Sequence, residues 1–212
     1  GNTVVLRNWH GHTQQYIGQD LQNALFTRGG ENTLPADLIK QFFSSFNEVL
    51  TQINPPGTRL ERPHEEELAR YCVVLALFEE VFRTGVRPGS LLFLGDPKTT
   101  VAQLLSIAES HWLDDLCTLS SLFYDRFAKV LTNPAKLNPV FDGSRDVGGA
   151  DADLILDGCL IDIKSTINPR VTNIWLYQLL GYLFLDYSDR YQIHEVGLYF
   201  ARQGVLFQWP LP

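Results

Sequence analysis

The sequence predicts an α/β fold in which a largely helical region over residues 1–135 precedes a mixed-sheet core over 136–212. Two observations carry this. Apolar residues recur at three- and four-residue steps through most of 35–131. After Pro134 and Pro139 the pattern changes to short apolar runs broken by tight turns, the signature of strands.

The elements follow in order. Residues 1–30 offer a short helix around "QQYIGQDLQNALF". From Pro35, which suits a first helical turn, "ADLIKQFFSSFNEVLTQI" sets Leu38, Ile39, Phe42, Phe46, Val49 and Ile53 on one face. "NPPGTRLERP" breaks that helix. A second helix, "HEEELARYCVVLALFEEVFRTG", opens on acidic residues and closes on Arg83 and Gly85; it is apolar nearly all round and is expected to pack on the core. "TTVAQLLSIAES", capped by Thr99 or Thr100, and "HWLDDLCTLSSLFYDRFAKVL" add two more. Beyond "TNPAKLNPV", Asp153–Leu156 and Cys159–Ser165 read as strands joined by Asp157-Gly158, a strong hairpin signal. "TNIWLYQLLGYLFLDY" restores helical spacing over about 172–187. "HEVGLYFA" and "VLFQWPL", separated by "RQG", close the chain as two strands.

Composition limits the function classes. Hydrophobic residues make up 45% of the 212-residue chain and charged ones 19%, so a sizeable core is expected and disorder is not. The longest apolar run, "YCVVLALF" at 71–78, ends at Glu79 and Glu80 and is too short to span a bilayer. With no basic, apolar and small-residue leader in "GNTVVLRNWHGH", the expectation is a soluble, cytoplasmic protein without a membrane partner. The chain lacks methionine, so Gly1 is expected not to be the native start. Cys72, Cys117 and Cys159 are odd in number, lack zinc spacing and sit in apolar segments, which predicts reduced, buried thiols. A net charge of −7 argues against coating nucleic acid through the overall field, though not against a local basic groove, a protein partner or a homo-oligomer.

The chemistry concentrates in "GGADADLILDGCLIDIKST", residues 148–166. Side chains alternate across a strand, so Asp151, Asp153 and Ile155 share one face, and Leu160, Asp162 and Lys164 share a face of the next. The hairpin brings Asp153 near Asp162 and Lys164. Two converging carboxylates raise each other's pKa, and one lysine offsets only one of them. A divalent metal resolves this. Oxygen ligands select a hard cation, hence Mg²⁺ with Mn²⁺ as a substitute. A solvent-facing strand would explain the same alternation, but Ile155 and Leu160 on those faces weigh against it.

Asp153 followed by Asp162-Ile163-Lys164 resembles the PD-(D/E)xK nuclease motif, with Ala152 where the family name has proline. "QLLGY", Gln178–Tyr182, is similar to the Q-x-x-x-Y pattern of RecB-type nucleases and CRISPR-associated exonucleases in that superfamily. The match covers residues 140–212, about a third of the chain, and no clear G-x-x-x-H precedes it. The resemblance implies a restriction-endonuclease-like mixed-sheet core and a metal-dependent nuclease, with DNA ahead of RNA as substrate, among restriction, repair and antiphage-defence enzymes. It implies that Asp153, Asp162 and the backbone carbonyl of Ile163 hold the metal. Lys164 would then orient or deprotonate a water, or stabilise the charge that develops on phosphorus. Gln178 and Tyr182, one turn apart, would touch the phosphate backbone or that water, or else pack.

Further residues carry two readings each. Glu79 shares a stripe with Cys72, Leu75 and Phe82; it stands in for the family's upstream acidic metal ligand, or it pairs with an Arg. Ser144 and Arg145, in "FDGSRDVGGAD", meet phosphate or are ordinary loop residues. Asp151 is a loop residue or a supporting carboxylate. "WHGH" at 9–12 lacks a third metal ligand, and His64, His111 and His194 have no evident partner. Trp175, Tyr177 and Tyr182 stack on bases or pack in the core. Two other function classes remain: a silent nuclease-fold module that binds nucleic acid or a protein, and a helical interaction protein with an incidental hairpin.

Overall fold

A computed structural model describes residues 35–52, 59–84, 90–92, 98–127 and 135–212. The expected helix around 14–26 and the "WHGH" histidines lie outside them. The described residues divide into two units, 35–118 and 119–212.

In the first unit, α1 (Ala36–Gln52) and α2 (Arg62–Thr84) fall where the periodicity predicts them. Phe42 packs its ring on Tyr71 and Phe78 at 5.2 and 5.0 Å, and Phe46 lies 5.4 Å from Tyr71, so aromatic contacts join the two helices. The short α3 (Val101–Leu105) starts at Thr100, whose hydroxyl accepts from Gln103 N–H while the Gln103 side chain accepts from Thr100 N–H. This reciprocal pair satisfies two of the orphan donors at the helix start. α4 (Ser110–Phe127) begins in this unit, where Arg62 contacts both Glu66 and Asp114, and its second half belongs to the other unit.

The second unit holds a five-stranded mixed sheet in the order β1-β2-β3-β4-β5. The strands are β1 (Lys136–Leu137), β2 (Leu154–Leu156), β3 (Cys159–Lys164), β4 (Glu195–Phe200) and β5 (Val205–Pro210). All neighbours are antiparallel except β3 and β4, which run parallel with Cys159 opposite Glu195 and Lys164 opposite Phe200. A parallel pair needs a crossover, supplied here by α5 (Asn173–Leu185). A 3₁₀ helix, Asp142–Val147, lies between β1 and β2.

Alternation along the strands gives the sheet two buried faces. Leu154, Ile161 and Tyr199 pack with Phe123 and Phe127 of α4. On the opposite face Ile155, Leu160, Leu198 and Phe200 pack with Leu179 and Trp175 of α5. The architecture is therefore mixed α/β with helices preceding the sheet. Among the described residues no helix is long and apolar enough to cross a membrane.

The β2–β3 turn takes the form its sequence demands, with Asp157 at φ 50° and Gly158 at φ 74°, both positive as a type I′ turn requires. A Cβ at Gly158 would also stand 2.4 Å from His194 Nε2. Gly158→Ala is expected to cost about 1–2 kcal/mol, the penalty of a left-handed non-glycine residue, read as a lower urea midpoint at unchanged slope.

Two sequence expectations fail in the first unit. Cys117 and Cys159 are buried free thiols, but Cys72 is exposed. Glu79 is exposed as well, because the buried face of α2 runs through Leu68, Tyr71, Val74 and Phe78. The stripe of Cys72, Leu75 and Glu79 is turned about a residue's rotation, roughly 100°, away from that core.

Candidate functional site

The site forms where β3 ends. Extending the β2–β3 register by one residue sets Asp153 opposite Asp162, so the two-residue turn alone brings the carboxylates together. Asp153 Oδ2 accepts a 2.7 Å hydrogen bond from the backbone N–H of Ile163. That bond fixes the carboxylate against the strand carrying the other acid.

Asp162 lies on the face covered by α5, and its side chain is only 4% exposed. Lys164, two residues on and on the same face, places Nζ 2.6 Å from Asp162 Oδ2. The contact is electrostatic and not an aligned hydrogen bond, for Oδ2 is buried without a properly oriented donor. Burial pushes both carboxyls above the ordinary aspartate range. The Ile163 N–H opposes this at Asp153, and Lys164 opposes it at Asp162. Asp151, exposed and bridged to Val140, adds further negative charge near Asp153.

The helix completes the cluster. Lys164 Nζ donates to Gln178 Oε1 at 2.9 Å, and Gln178 Nε2 donates to the Tyr182 hydroxyl at 2.9 Å. Because the Tyr182 oxygen accepts from Gln178, its own proton is left to donate elsewhere. An ammonium has three N–H groups; one goes to Gln178, while its charge faces Asp162. The outcome is a line of groups, Asp162, Lys164, Gln178 and Tyr182, that ends in a proton donor. Tyr182 also packs, with its ring stacked 5.6 Å from Phe141, which is the packing reading of its sequence position.

The sequence offers Trp175 only as a residue that stacks on bases or packs, not as a neighbour of Lys164. The Trp175 ring sits 5.5 Å from Lys164 Nζ and limits where the ammonium can swing. The signal was present, since Trp175, Gln178 and Tyr182 follow steps of three and four on α5 and share one helix face.

Other candidates stand apart. Ser144 is buried; its hydroxyl accepts from Phe141 N–H at 2.9 Å and donates to the Ala150 carbonyl at 2.6 Å. It ties the 3₁₀ loop together and has no capacity for phosphate, which corrects its assignment. Arg145 is exposed on the same loop. Glu79, in the other unit on an exposed helix face, has lost the core-facing position that recommended it as a ligand.

The residues that suit a metal are Asp153, Asp162 and the Ile163 carbonyl. All are hard oxygen donors, and the ill-satisfied Asp162 Oδ2 is an atom a cation would complete. Among the described residues no group of three or more His, Cys, Asp or Glu is gathered for a metal, so water or substrate oxygens would fill the remaining positions.

Compared with known proteins, the chain matches no family model, no curated protein and no solved structure.

Proposed function

We propose that the chain is a metal-dependent phosphodiester hydrolase of nucleic acid, DNA ahead of RNA, working in the cytoplasm on a restriction-endonuclease-like core. One observation carries the reading: a buried Asp162–Lys164 pair, with Asp153 opposite and Gln178 and Tyr182 behind, at the carboxyl end of a parallel strand. Crevices beyond such strand ends are where open α/β sheets bind ligands. A structural role for these charges would cost stability without return, because a carboxylate this buried is expensive and an apolar side chain would serve the sheet better.

Bound Mg²⁺ or Mn²⁺ would supply Lewis-acid polarisation of the phosphate and a more acidic water. Asp153 and Asp162 would hold it, with the Ile163 carbonyl beside them. Lys164 presents an N–H not taken by Gln178 to a phosphate oxygen and stabilises charge that grows during attack. Gln178 and Trp175 are positioning residues that keep the ammonium aimed. The Tyr182 hydroxyl donates to a second oxygen or to the attacking water.

Supercoiled plasmid, linear duplex, single-stranded DNA and single-stranded RNA, incubated with Mg²⁺, Mn²⁺ or EDTA, test this. Cutting should require metal and fall about a hundredfold to a thousandfold in Asp162→Asn and in Lys164→Gln, the usual loss for one charge-stabilising group. Gln178→Ala should fall less and recover partly in Gln178→Asn. A second reading, a silent module that binds nucleic acid or a protein, draws on the direct Asp162–Lys164 contact, which neutralises one carboxylate internally. No cutting of any substrate, together with retained binding, would favour it.

A further inference from the structure

The outer side of α5 is as apolar as its inner side. Ile174, Tyr177 and Phe184 are 75%, 67% and 76% exposed, and Leu180 lies among them. Ile167 and Val171 before the helix and Tyr187 after it are exposed too, the Tyr187 hydroxyl donating to Asp146. The helix NIWLYQLLGYLFL contains no charged residue, and its outer stripe is made of apolar side chains and Tyr177. Isolated exposed apolar residues need no explanation, but a contiguous stripe on one helix does.

We infer that this face is where a second copy of the chain docks, with the two α5 helices antiparallel about a two-fold axis at the level of Leu179. Three features point to a copy and not to another partner. First, the stripe is self-complementary. Pairing about Leu179 sets Ile174 of each copy against Phe184 of the other, and Tyr177 against Gly181. A Cβ at Gly181 would meet nothing within 4 Å, so the glycine leaves a notch for the opposing tyrosine ring. Second, the flanking charges match in that orientation alone. Exposed Arg170 precedes the helix and exposed Asp189 follows it, and the antiparallel arrangement brings each arginine to the other copy's aspartate. Arg190, at the same end, is turned over the Tyr191 ring at 5.1 Å. Parallel helices would instead set like charges together.

Third, the area approaches that of a stable dimer. At ordinary side-chain areas the exposed fractions amount to on the order of 600–800 Å² per copy. A stable interface takes roughly 800 Å² from each partner. This inference does not rest on the hydrolase reading. Should both hold, one helix pair would carry Gln178 and Tyr182 of two sites, and the assembly would present two reaction centres.

Sedimentation velocity or light scattering of the full chain at 5–50 µM tests it, with circular dichroism to verify folding. Wild type should run at about twice its 24.0 kDa mass. Gly181→Gln adds bulk into open space in a single copy and raises helix propensity, so it should fold and run as a monomer. Phe184→Glu and Ile174→Lys should each be monomeric. Combining them should restore the dimer, because positions 174 and 184 lie about 15 Å apart within one helix and can pair only across the axis. A monomeric wild type at 50 µM would overturn the inference, whatever else then covers the stripe. So would a dimer indifferent to Gly181→Gln and Phe184→Glu, or a double variant that stays monomeric.

Discussion

Lys164→Ala will destabilise the chain by about 2–3 kcal/mol at neutral pH, and by much less when Asp162 is already asparagine. The asymmetry follows from burial. With its side chain 4% exposed and no aligned donor at Oδ2, Asp162 depends on the ammonium 2.6 Å away. Removing that ammonium strands a carboxylate in the core, which is far more costly than the pair itself is worth. Because the lysine is 17% exposed and water can enter when it is truncated, the lower end of the usual range applies. In the Asp162→Asn background there is no charge to strand. Only the contacts to Gln178 and Trp175 are lost, at about 1 kcal/mol. Urea unfolding of wild type, both single variants and the double variant gives the coupling directly, with an expected value of about 1–2 kcal/mol. Additivity within about 0.5 kcal/mol would mean that the two charges do not support each other.

Asp153→Asn should do the opposite without metal and then fail to respond when metal is added. Asparagine can still accept from Ile163 N–H, so the hydrogen bond survives while the buried charge goes. Burial raises the folded pKa of Asp153 above its unfolded value of 3.8. The neutral carboxyl is therefore favoured in the folded state, and the native chain binds more protons than the unfolded one between the two pKa values. The corresponding stability is fully present below about 3.8 and is lost as pH rises through the folded pKa. Relative to wild type, the variant should gain ground as pH climbs through that window and level off above it. Saturating Mg²⁺ or Mn²⁺ should stabilise wild type by about 2–3 kcal/mol at a hundredfold excess over Kd, and should leave the variant nearly unchanged. Thermal melts across pH 3.5–8, with and without metal, measure both effects. A metal shift of equal size in the variant would remove Asp153 from the ligand set.

The hairpin was legible because its information is local. Asp157-Gly158 names the turn type, and the alternation on either side names which residues share the α5 face. The start of α1 and a cap at Thr99 or Thr100, realised at Thr100, were legible for the same reason, while the expected end of α4 at 131 lies outside the described residues. The phase of α2 was not: a helix apolar nearly all round carries no marker for its inward side, and Phe78 won the buried position next to Glu79. Ser144 misled because a buried loop serine and a phosphate-binding one look alike until its partners, Phe141 and Ala150, are seen. The two-residue β1 and the 3₁₀ helix at 142–147 fall below the length at which periodicity can be read. The parallel pairing of β3 with β4 is set by long-range packing, which no window of the sequence contains.

That parallel pairing also orders events in time. The carboxylates are joined by a turn of two residues, whereas Cys159 meets Glu195 only after 36 intervening steps of chain have been closed through α5. Loop closure of that length delays the contact relative to a hairpin. The acids and Lys164 are therefore expected to gather early, on strands still open to water, with Gln178 and Tyr182 arriving with the crossover. Substitutions at the Asp157-Gly158 turn should slow refolding, while those at Gln178 should mainly speed unfolding. The expected order assembles the charges while they are still hydrated and defers their desolvation to the final closure of the sheet, which φ-values at Gly158 and Gln178 check.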